Sequence, residues 1–347
     1  MTSAGEYSHR TITMTDRELH LPVAAQPSVE SLVGYARRAE KAGYERVSLP
    51  ETWGRDAVTA LTVIAERTET IGLASSILNT YSRSPALLGQ TAATLQEVAG
   101  GRFRLGIGPS GPAVIENWHG LEYGNPLRRT RETVEIVRRV LAGETVEYDG
   151  EYFSLSGFRL RSEPPEPTPP VDVTGMGPKA VELAGRFADG WHGIVLTPDG
   201  VRDRLEDVSS GAALAGRDSE EVRVTVGVTC CALADDRRAR ELARQHAAFY
   251  VGGMGTFYRD SLIRQGYDEA ESIHDAWQDG DRKRAMAAVG DELLDELCAA
   301  GDPESARASL ERFEAIDGVD AVAVGFPRGA GESEIRETMD ALAPNGR

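Results

Sequence analysis

The sequence predicts an α/β protein folded as a closed (β/α)8 barrel. Three observations predict it: short apolar runs alternate with amphipathic helical segments, eight such pairs follow one another, and 347 residues suffice for one large domain or two small ones. This alternation is typical of parallel strands joined by helices. Eight pairs are the number that closes a parallel sheet into a TIM barrel rather than leaving it open.

Each strand is predicted from a short apolar run and each helix from an amphipathic segment. In the first helix Ser28 is the expected cap, apolar residues from Val29 onward share one face, and Gly43 ends the segment. The predicted strands are residues 18–24, 46–50, 71–78, 102–108, 171–175, 193–197, 222–232 and 319–325. The predicted helices are residues 28–42, 56–67, 85–98, 127–141, 178–188, 201–215, 237–246 and 304–316. We therefore expect a polar tail over residues 1–17 and a single barrel domain over residues 18–347.

Three segments exceed the simple repeat, at about residues 111–126, 144–170 and 248–301. The second contains the hairpin signal Tyr148-Asp149-Gly150-Glu151-Tyr152 and a proline-rich run that can be neither helix nor central strand. The third is predicted to be mostly helical, with breaks at glycines. Insertions in a barrel lie on its loops, so we expect these on the loops at the carboxyl ends of the strands, which form the active-site face.

Composition excludes several classes of partner. With 38 Lys+Arg against 55 Asp+Glu the net charge is −17, which argues against nucleic acid and against an anionic membrane surface. No run has the roughly 18 apolar residues of a membrane helix, and the first ten residues lack a signal peptide's apolar core. The three cysteines are too few for a disulfide framework and lack metal-ligand spacing, so we expect no metal and buried thiols. The expected location is the cytoplasm.

The excess of carboxylates over lysines also suggests a halophilic source. Only Lys41, Lys179 and Lys283 are lysines. A surface rich in carboxylates holds water and resists self-association when salt screens long-range repulsion. A GC-rich genome would also favour arginine over lysine, although it would not by itself create the acidic excess.

Candidate functional residues follow several of the predicted strands. Glu51 follows the second strand, Ser76-Ile77-Leu78-Asn79 ends the third, and Gly106-Ile107-Gly108-Pro109-Ser110 ends the fourth, all at barrel-mouth positions. After the fifth, Thr174-Gly175-Met176-Gly177-Pro178-Lys179 leads into a helix whose free N–H groups and dipole favour a phosphate. Taken singly, a glycine-rich turn or a carboxylate at a helix start also has a purely structural explanation.

Taken together these residues resemble the bacterial luciferase-like superfamily. The match includes Glu51, Ser76-Ile77, the run from Gly101 to Gly108, Gly175-Met176-Gly177-Pro178 and Ala188-Asp189-Gly190-Trp191. Within the superfamily the sequence is most similar to the deazaflavin-dependent methylene-tetrahydromethanopterin reductases. That similarity rests on Tyr81-Ser82-Arg83-Ser84-Pro85-Ala86, Gly106-Ile107-Gly108-Pro109, Thr229-Cys230-Cys231 and residues 288–303.

The resemblance implies a barrel that binds coenzyme F420, a two-electron hydride carrier, with its ring at the barrel mouth. Glu51 would contact the polar edge of the ring. Behind the ring, a non-prolyl cis peptide would join Ser76 to Ile77. The implied cofactor-binding residues are Glu51, Ser76, Ile77, Leu78, Asn79, Gly108, Pro109 and Ser110 around the ring, and Gly175, Met176, Gly177 and Pro178 around the phosphate. Hydride transfer depends mainly on positioning and on excluding water.

The sequence departs from the reductase pattern at the substrate side. The reductases have a glutamate in the first strand, and a gapless match places Pro22 there, with Gln26 as the nearest polar residue downstream. Thr52 stands where sugar-phosphate dehydrogenases of the superfamily have a histidine, which argues against that activity. His20 alternates inside an apolar strand and is expected to be a core residue. The catalytic candidates are therefore Gln26, Glu51 and His119.

Three functions remain open at this stage. The first is an F420-dependent oxidoreductase that transfers hydride between the reduced deazaflavin and a small organic acceptor such as methylene-tetrahydromethanopterin or methylene-tetrahydrofolate. The second is an FMN-dependent monooxygenase of the same superfamily. The third is a cofactor-binding homologue that has lost catalysis. The resemblance also implies a homodimer or higher homo-oligomer.

Overall fold

The computed structural model describes residues 15–22 and 28–344. Within these residues the strands are β1 Asp16–His20, β2 Arg46–Leu49, β3 Gly72–Ser75, β4 Leu78–Asn79, β5 Phe103–Gly108, β6 Val146–Asp149, β7 Ser154–Phe158, β8 Val171–Thr174, β9 Gly190–Ile194, β10 Arg223–Ala232, β11 Cys298–Gly301 and β12 Ala321–Gly325. The α-helices are α1 Val29–Ala42, α2 Ala57–Arg67, α3 Pro85–Val98, α4 Pro126–Leu141, α5 Pro178–Phe187, α6 Pro198–Leu214, α7 Asp236–Gly253, α8 Thr256–Arg264, α9 Glu269–Gln278, α10 Arg282–Ala287, α11 Asp291–Leu297, α12 Pro303–Glu314 and α13 Glu332–Ala341.

Eight parallel strands close into a barrel, which confirms the predicted fold class. Their order around the barrel is β1-β2-β3-β5-β8-β9-β10-β12, and the ring closes because β12 pairs with β1. The register places Leu19 opposite Val324 on one side and Val47 on the other. All three residues are fully buried. No helix in the described part of the chain is long and apolar enough to cross a membrane.

Helix ends follow the sequence signals closely because they are determined locally. Ser28 accepts a hydrogen bond from the backbone N–H of Ser31, and Gly43 has a positive φ of 84°, so α1 begins and ends as predicted. Strand ends were less accurate. The strand predicted at 193–197 is wrong by three residues, because Gly190–Ile194 pairs with both β8 and β10 despite its glycines. The first strand ends at His20, and part of its predicted range lies in the undescribed residues 23–27.

The third predicted strand is interrupted. β3 ends at Ser75 and β4 begins at Leu78, and the intervening peptide bond between Ser76 and Ile77 is cis, as the resemblance predicts. The neighbouring strand β5 fits this interruption closely. The Ser75 hydroxyl donates to the carbonyl of Gly106 at 2.8 Å and accepts from its N–H at 3.0 Å. The interruption thus presents Ser76 and Ile77 at the barrel mouth.

We expect Gly106→Ala to destabilise this junction. A Cβ at residue 106 would overlap the carbonyl oxygen of Ser75, which is backbone and cannot move aside cheaply. Overpacking of this kind costs about 1–3 kcal/mol. Urea unfolding should show a loss of this size. Gly34→Ala is the matched control, because a Cβ there meets nothing within 4 Å and alanine favours the helix. An unchanged stability of Gly106→Ala would contradict the close fit.

The insertions match the predicted segments with two differences. β6 and β7 form the expected antiparallel hairpin, but they follow α4 and precede β8, so this insertion starts at the amino-terminal end of the barrel and not at the carboxyl end. The hairpin folds back along α4, since Glu132 accepts hydrogen bonds from the N–H groups of Glu151 and Tyr152. Residues 298–301 were predicted within a mostly helical insertion and instead form β11, which pairs with the end of β10. The cysteines are buried thiols, as expected.

Candidate active site

A cavity of about 1600 Å³ opens at the carboxyl ends of the barrel strands. Residues at the strand ends line it, together with residues of α7 and α8. Ligand pockets for one drug-sized molecule usually measure about 300–1,000 Å³. This cavity therefore has room for a large cofactor together with a second molecule.

Glu51 lines the cavity as half of an ion pair. Both carboxylate oxygens are bound by the Arg83 guanidinium, with one contact at 3.0 Å, and the carboxylate also accepts the N–H of Ala57 at 3.1 Å. Arg83 reaches Asp56 as well, at 2.7 Å. The Glu51 and Arg83 side chains are 11% and 15% exposed. Glu51 is thus fixed in position by a bidentate pair, and the pair neutralises its charge. The sequence analysis named Arg83 only as part of a stretch that resembles the reductases and assigned no role to it.

The residues predicted to lie behind the cofactor ring fall into two groups. Ser76 and Ile77 line the cavity, whereas Leu78 and Asn79 are fully buried behind it. Asn79 organises the following turn, because its side-chain oxygen accepts the N–H groups of Tyr81 at 3.0 Å and Ser82 at 2.7 Å. Its amide nitrogen lies 3.4 Å from His119 Nε2.

The turn after β5 shows the same division. Pro109 and Ser110 line the cavity, and Ser110 has a positive φ of 58°, a conformation uncommon for residues other than glycine. Gly108 lies behind them, where a Cβ would overlap the Thr174 side chain. His119, a catalytic candidate, is not among the residues that line the cavity in the described structure.

The start of α5 forms an open, positively polarised corner of the cavity. Gly175 through Ala180 line it, Gly177 is the N-cap and Pro178 is the first helical residue. A Cβ at Gly177 would meet no protein atom within 4 Å. Pro178 has no N–H and the Ala180 N–H donates to the Gly177 carbonyl at 2.9 Å, so the Lys179 N–H is the donor that the first helical turn offers to an anion, beside the empty space at Gly177. Trp191 holds the turn from behind by donating to the Gly175 carbonyl at 2.8 Å.

An aromatic wall faces the cavity from the helices that follow β10, and sequence reasoning did not identify it. We use this name for Phe249, Tyr250, Phe257 and Tyr258, which line the cavity from α7 and α8. The Tyr250 and Tyr258 rings meet edge to face at 5.1 Å. Aromatic pairs at consecutive positions in the predicted 248–301 segment were the available signal, but only the fold shows which face they occupy.

The cavity floor contains a pair of histidines. The His20 and His192 rings lie 4.9 Å apart, and the Nε2 atom of each is buried without a hydrogen-bond partner. Burial, with a further effect from His192, lowers the pKa of His20 to about 3 from 6.5. Burial likewise lowers the pKa of His192. His20 was expected to be a core residue, and it instead contributes to the site as a neutral ring.

Acid should therefore destabilise the protein through His20. In the unfolded chain this ring binds a proton below pH 6.5, whereas in the folded chain it does so only near pH 3, so stability is lost as the pH falls through this window. Urea unfolding should show a loss of about 1–2 kcal/mol from this ring between pH 7 and pH 5. His20→Phe keeps a ring against His192 and should lose less over the same range. Equal losses in the two proteins would refute the assignment.

Two of the remaining residues discussed for the substrate side line the cavity, and a third lies outside the described residues. Pro22 and Thr52 both line the cavity, so the residues that depart from the family pattern are at the site. Gln26, a catalytic candidate, lies outside the described residues. Among the described residues no cluster of three or more His, Cys, Asp or Glu side chains could hold a metal ion.

The fold and the site together define a (β/α)8 barrel with a large cavity at its mouth and the start of helix α5 at the cavity's edge. The chain belongs to the luciferase-like monooxygenase family, whose model matches residues 11–320.

Three known proteins illustrate the relationship. A Mycobacterium tuberculosis protein named as a coenzyme F420-dependent oxidoreductase is 32% identical over 80% of this chain and 85% of its own length. The 5,10-methylenetetrahydromethanopterin reductase of Archaeoglobus fulgidus is 32% identical over 85% of this chain and 89% of its own. The solved structure of the coenzyme F420-dependent tetrahydromethanopterin reductase of Methanopyrus kandleri superposes with a TM-score of 0.82 at 24% identity, covering 95% of this chain and 97% of that chain.

Proposed function

We propose that this protein is an F420-dependent oxidoreductase that transfers hydride between the deazaflavin and a small organic acceptor. The observation that carries the proposal is the open corner at Gly177, where a Cβ would occupy empty space beside the unpaired backbone N–H of Lys179. This corner shares one cavity with Ser76 and Ile77. A cofactor with a ring and a phosphate would use both features. The names of the relatives at 32% identity favour F420 as that cofactor.

The residues present fit such a cofactor. Gly175, Met176, Gly177 and the N–H of Lys179 would hold the phosphate. Ser76 and Ile77 would support one face of the ring directly, with Leu78, Asn79 and Gly108 fixing that support from behind. Pro109 and Ser110 would contact the ring from the adjacent strand end, and Glu51 would meet its polar edge. The bidentate pair with Arg83 keeps Glu51 as a binding group rather than a proton donor.

The chemistry places few demands on acid and base groups. Reduced F420 supplies a hydride when it is bound. The work of this chain is to hold the acceptor carbon at about 3–3.5 Å from the donor carbon and to exclude water. The aromatic wall and the apolar residues at the strand ends line the cavity and would perform this second task.

For the acceptor we propose a methylene-tetrahydropterin or a methylene-tetrahydrofolate. The cavity volume of about 1600 Å³ accommodates a large second ligand, and one relative at 32% identity is a methylenetetrahydromethanopterin reductase. Pro22 lines the cavity where that reductase family has a glutamate, so any proton donor for the acceptor must come from another residue.

A reduced-F420 oxidation assay tests the proposal. The panel consists of methylene-tetrahydromethanopterin, methylene-tetrahydrofolate and 2-cyclohexen-1-one, at matched salt concentrations. Oxidation that depends on one of the two methylene compounds supports the full proposal. Turnover with cyclohexenone alone retains the oxidoreductase and replaces the pterin with an unsaturated carbonyl compound. No oxidation with any acceptor contradicts the proposed function.

A further inference from the structure

We propose that His246 is the hydrogen-bond donor that binds the acceptor group of the substrate, an inference that rests on the proposed function. His246 lies on α7 and lines the cavity at the aromatic wall. The sequence analysis did not select His246, and the roles proposed above for Glu51 and for the start of α5 do not use it. Its proton is placed by a contact on the opposite side of the ring.

The backbone determines which nitrogen of His246 carries the proton. Nδ1 accepts the backbone N–H of Arg328 at 2.7 Å. An imidazole nitrogen that accepts a hydrogen bond has no proton, so in the neutral ring the proton is on Nε2. The structure contains no hydrogen bond from Nε2 to a described residue, and the His246 side chain lines the cavity. Nε2–H is therefore a donor that remains available to a ligand.

The His246 ring is also fixed in orientation. It lies 4.7 Å from the Tyr250 ring, which in turn packs edge to face on Tyr258 at 5.1 Å. The Arg328 guanidinium lies over Phe249 at 4.3 Å, which holds the segment that supplies the backbone N–H. A donor held by packing loses little entropy when it binds a ligand.

The His246 ring stays neutral, so its Nε2–H group donates a hydrogen bond and does not act as an acid. Burial, together with the positive charge of Arg328, lowers the pKa of His246 to about 4. A neutral imidazole polarises a carbonyl or imine without giving up its proton, so the transfer remains a hydride step with no acid needed from this residue. The single proton that the product gains besides the hydride would then come from solvent.

These features define the substrate class. The aromatic wall favours a flat, conjugated molecule, and the Nε2–H group requires a hydrogen-bond acceptor atom that is bonded to, or conjugated with, the carbon that receives the hydride. A carbonyl oxygen or an imine-type nitrogen meets this requirement, because negative charge develops there as the hydride arrives. The nitrogen of a methylene-tetrahydropterin whose bond to the methylene carbon breaks as the hydride arrives can accept this hydrogen bond, and so can the oxygen of an α,β-unsaturated carbonyl compound. An iminium nitrogen, which has no lone pair, and an isolated alkene cannot.

Histidine side-chain NMR of the cofactor-free protein tests the first step without requiring activity. His246 should be neutral, with the proton on Nε2, from pH 7 down to about pH 5. Its signals are assigned by their loss in His246→Phe. His274 is the comparison, because it lies on α9 outside the cavity lining, with its Nδ1 3.3 Å from the carbonyl of Val251. A proton on Nδ1, or a charged ring at pH 7, would overturn the proposal whatever the cofactor.

Steady-state kinetics test the second step, using whichever acceptor of the panel the wild type reduces fastest. Loss of one donor to a developing negative charge typically costs about 10²–10³-fold. His246→Phe should therefore lower kcat/KM about 100-fold with the F420 dissociation constant unchanged, His246→Gln should recover part of the loss, and His274→Phe should behave as wild type. A loss below threefold in His246→Phe would refute the role of His246 and leave the proposed function standing. Absence of turnover by the wild type would contradict both.

Discussion

Gly177→Val is expected to weaken F420 binding about 100-fold while the protein folds normally. The new side chain meets no protein atom near its Cβ, so the start of α5 tolerates it. It would, however, occupy the space between the free N–H groups where a phosphate would lie. Loss of two or three charge-assisted hydrogen bonds accounts for a penalty of about 3 kcal/mol. Fluorescence titration with F420 measures the affinity, and thermal unfolding checks the fold.

A second glycine controls for the substitution itself. Gly34→Val introduces the same side chain into equally open space, on the exposed side of α1 and away from the cavity lining. It should lose some helix stability and bind F420 as the wild type does. If Gly177→Val also retained full affinity, the phosphate would have to bind elsewhere, and the proposed orientation of the cofactor would be wrong.

Arg83→Met is expected to lower the free energy of unfolding by about 3–5 kcal/mol. The Glu51 and Arg83 side chains are mostly buried, and Arg83 binds both Glu51 oxygens. Removing one partner of such a pair leaves an uncompensated charge in a site of low polarity, which is where losses of this size are observed. The remaining hydrogen bond from the N–H of Ala57 cannot replace a guanidinium. Urea unfolding at pH 7 measures the loss.

The double variant Glu51→Gln with Arg83→Met separates charge from packing. If the cost arises from an unpaired carboxylate, the double variant should be more stable than Arg83→Met alone by at least 1 kcal/mol. Glu51→Gln alone should reduce F420 affinity more than it reduces turnover. A normal F420 dissociation constant in Glu51→Gln with a collapse of turnover by several hundredfold would instead make Glu51 an acid–base group.

Much of the barrel could be predicted from the sequence because its signals are local. The caps at Ser28 and Gly43 and the proline at the start of α3 mark element ends within a few residues, and the structure confirms them. Glycine-rich strand ends could be placed at the barrel mouth once the strands had been counted. The strand at Gly190–Ile194 could not be placed correctly, since pairing with two neighbours overrides the local preference of glycine.

The histidines that line the cavity were harder to predict, because their positions depend on contacts between distant segments of the chain. The hydrogen bond that determines the position of the His246 proton comes from the backbone N–H of Arg328, which is 82 residues away in the chain. His20 and His192 come from strands at different positions in the barrel and meet only when it closes. Nothing in the local sequence of these residues distinguishes them from core histidines. The residues proposed for the cofactor side could be taken from the resemblance, for which motifs exist. Those proposed for the substrate side could be selected only from the fold.

Equilibrium titration of the purified, cofactor-free protein with F420 and with FMN tests the central claim most directly. Each cofactor is added separately, and the ring fluorescence is followed in the presence and absence of the other. The account predicts saturable F420 binding that FMN displaces weakly or not at all, and that Gly177→Val impairs. Tight FMN binding without F420 binding would contradict the account and make the protein a flavin-dependent member of its family.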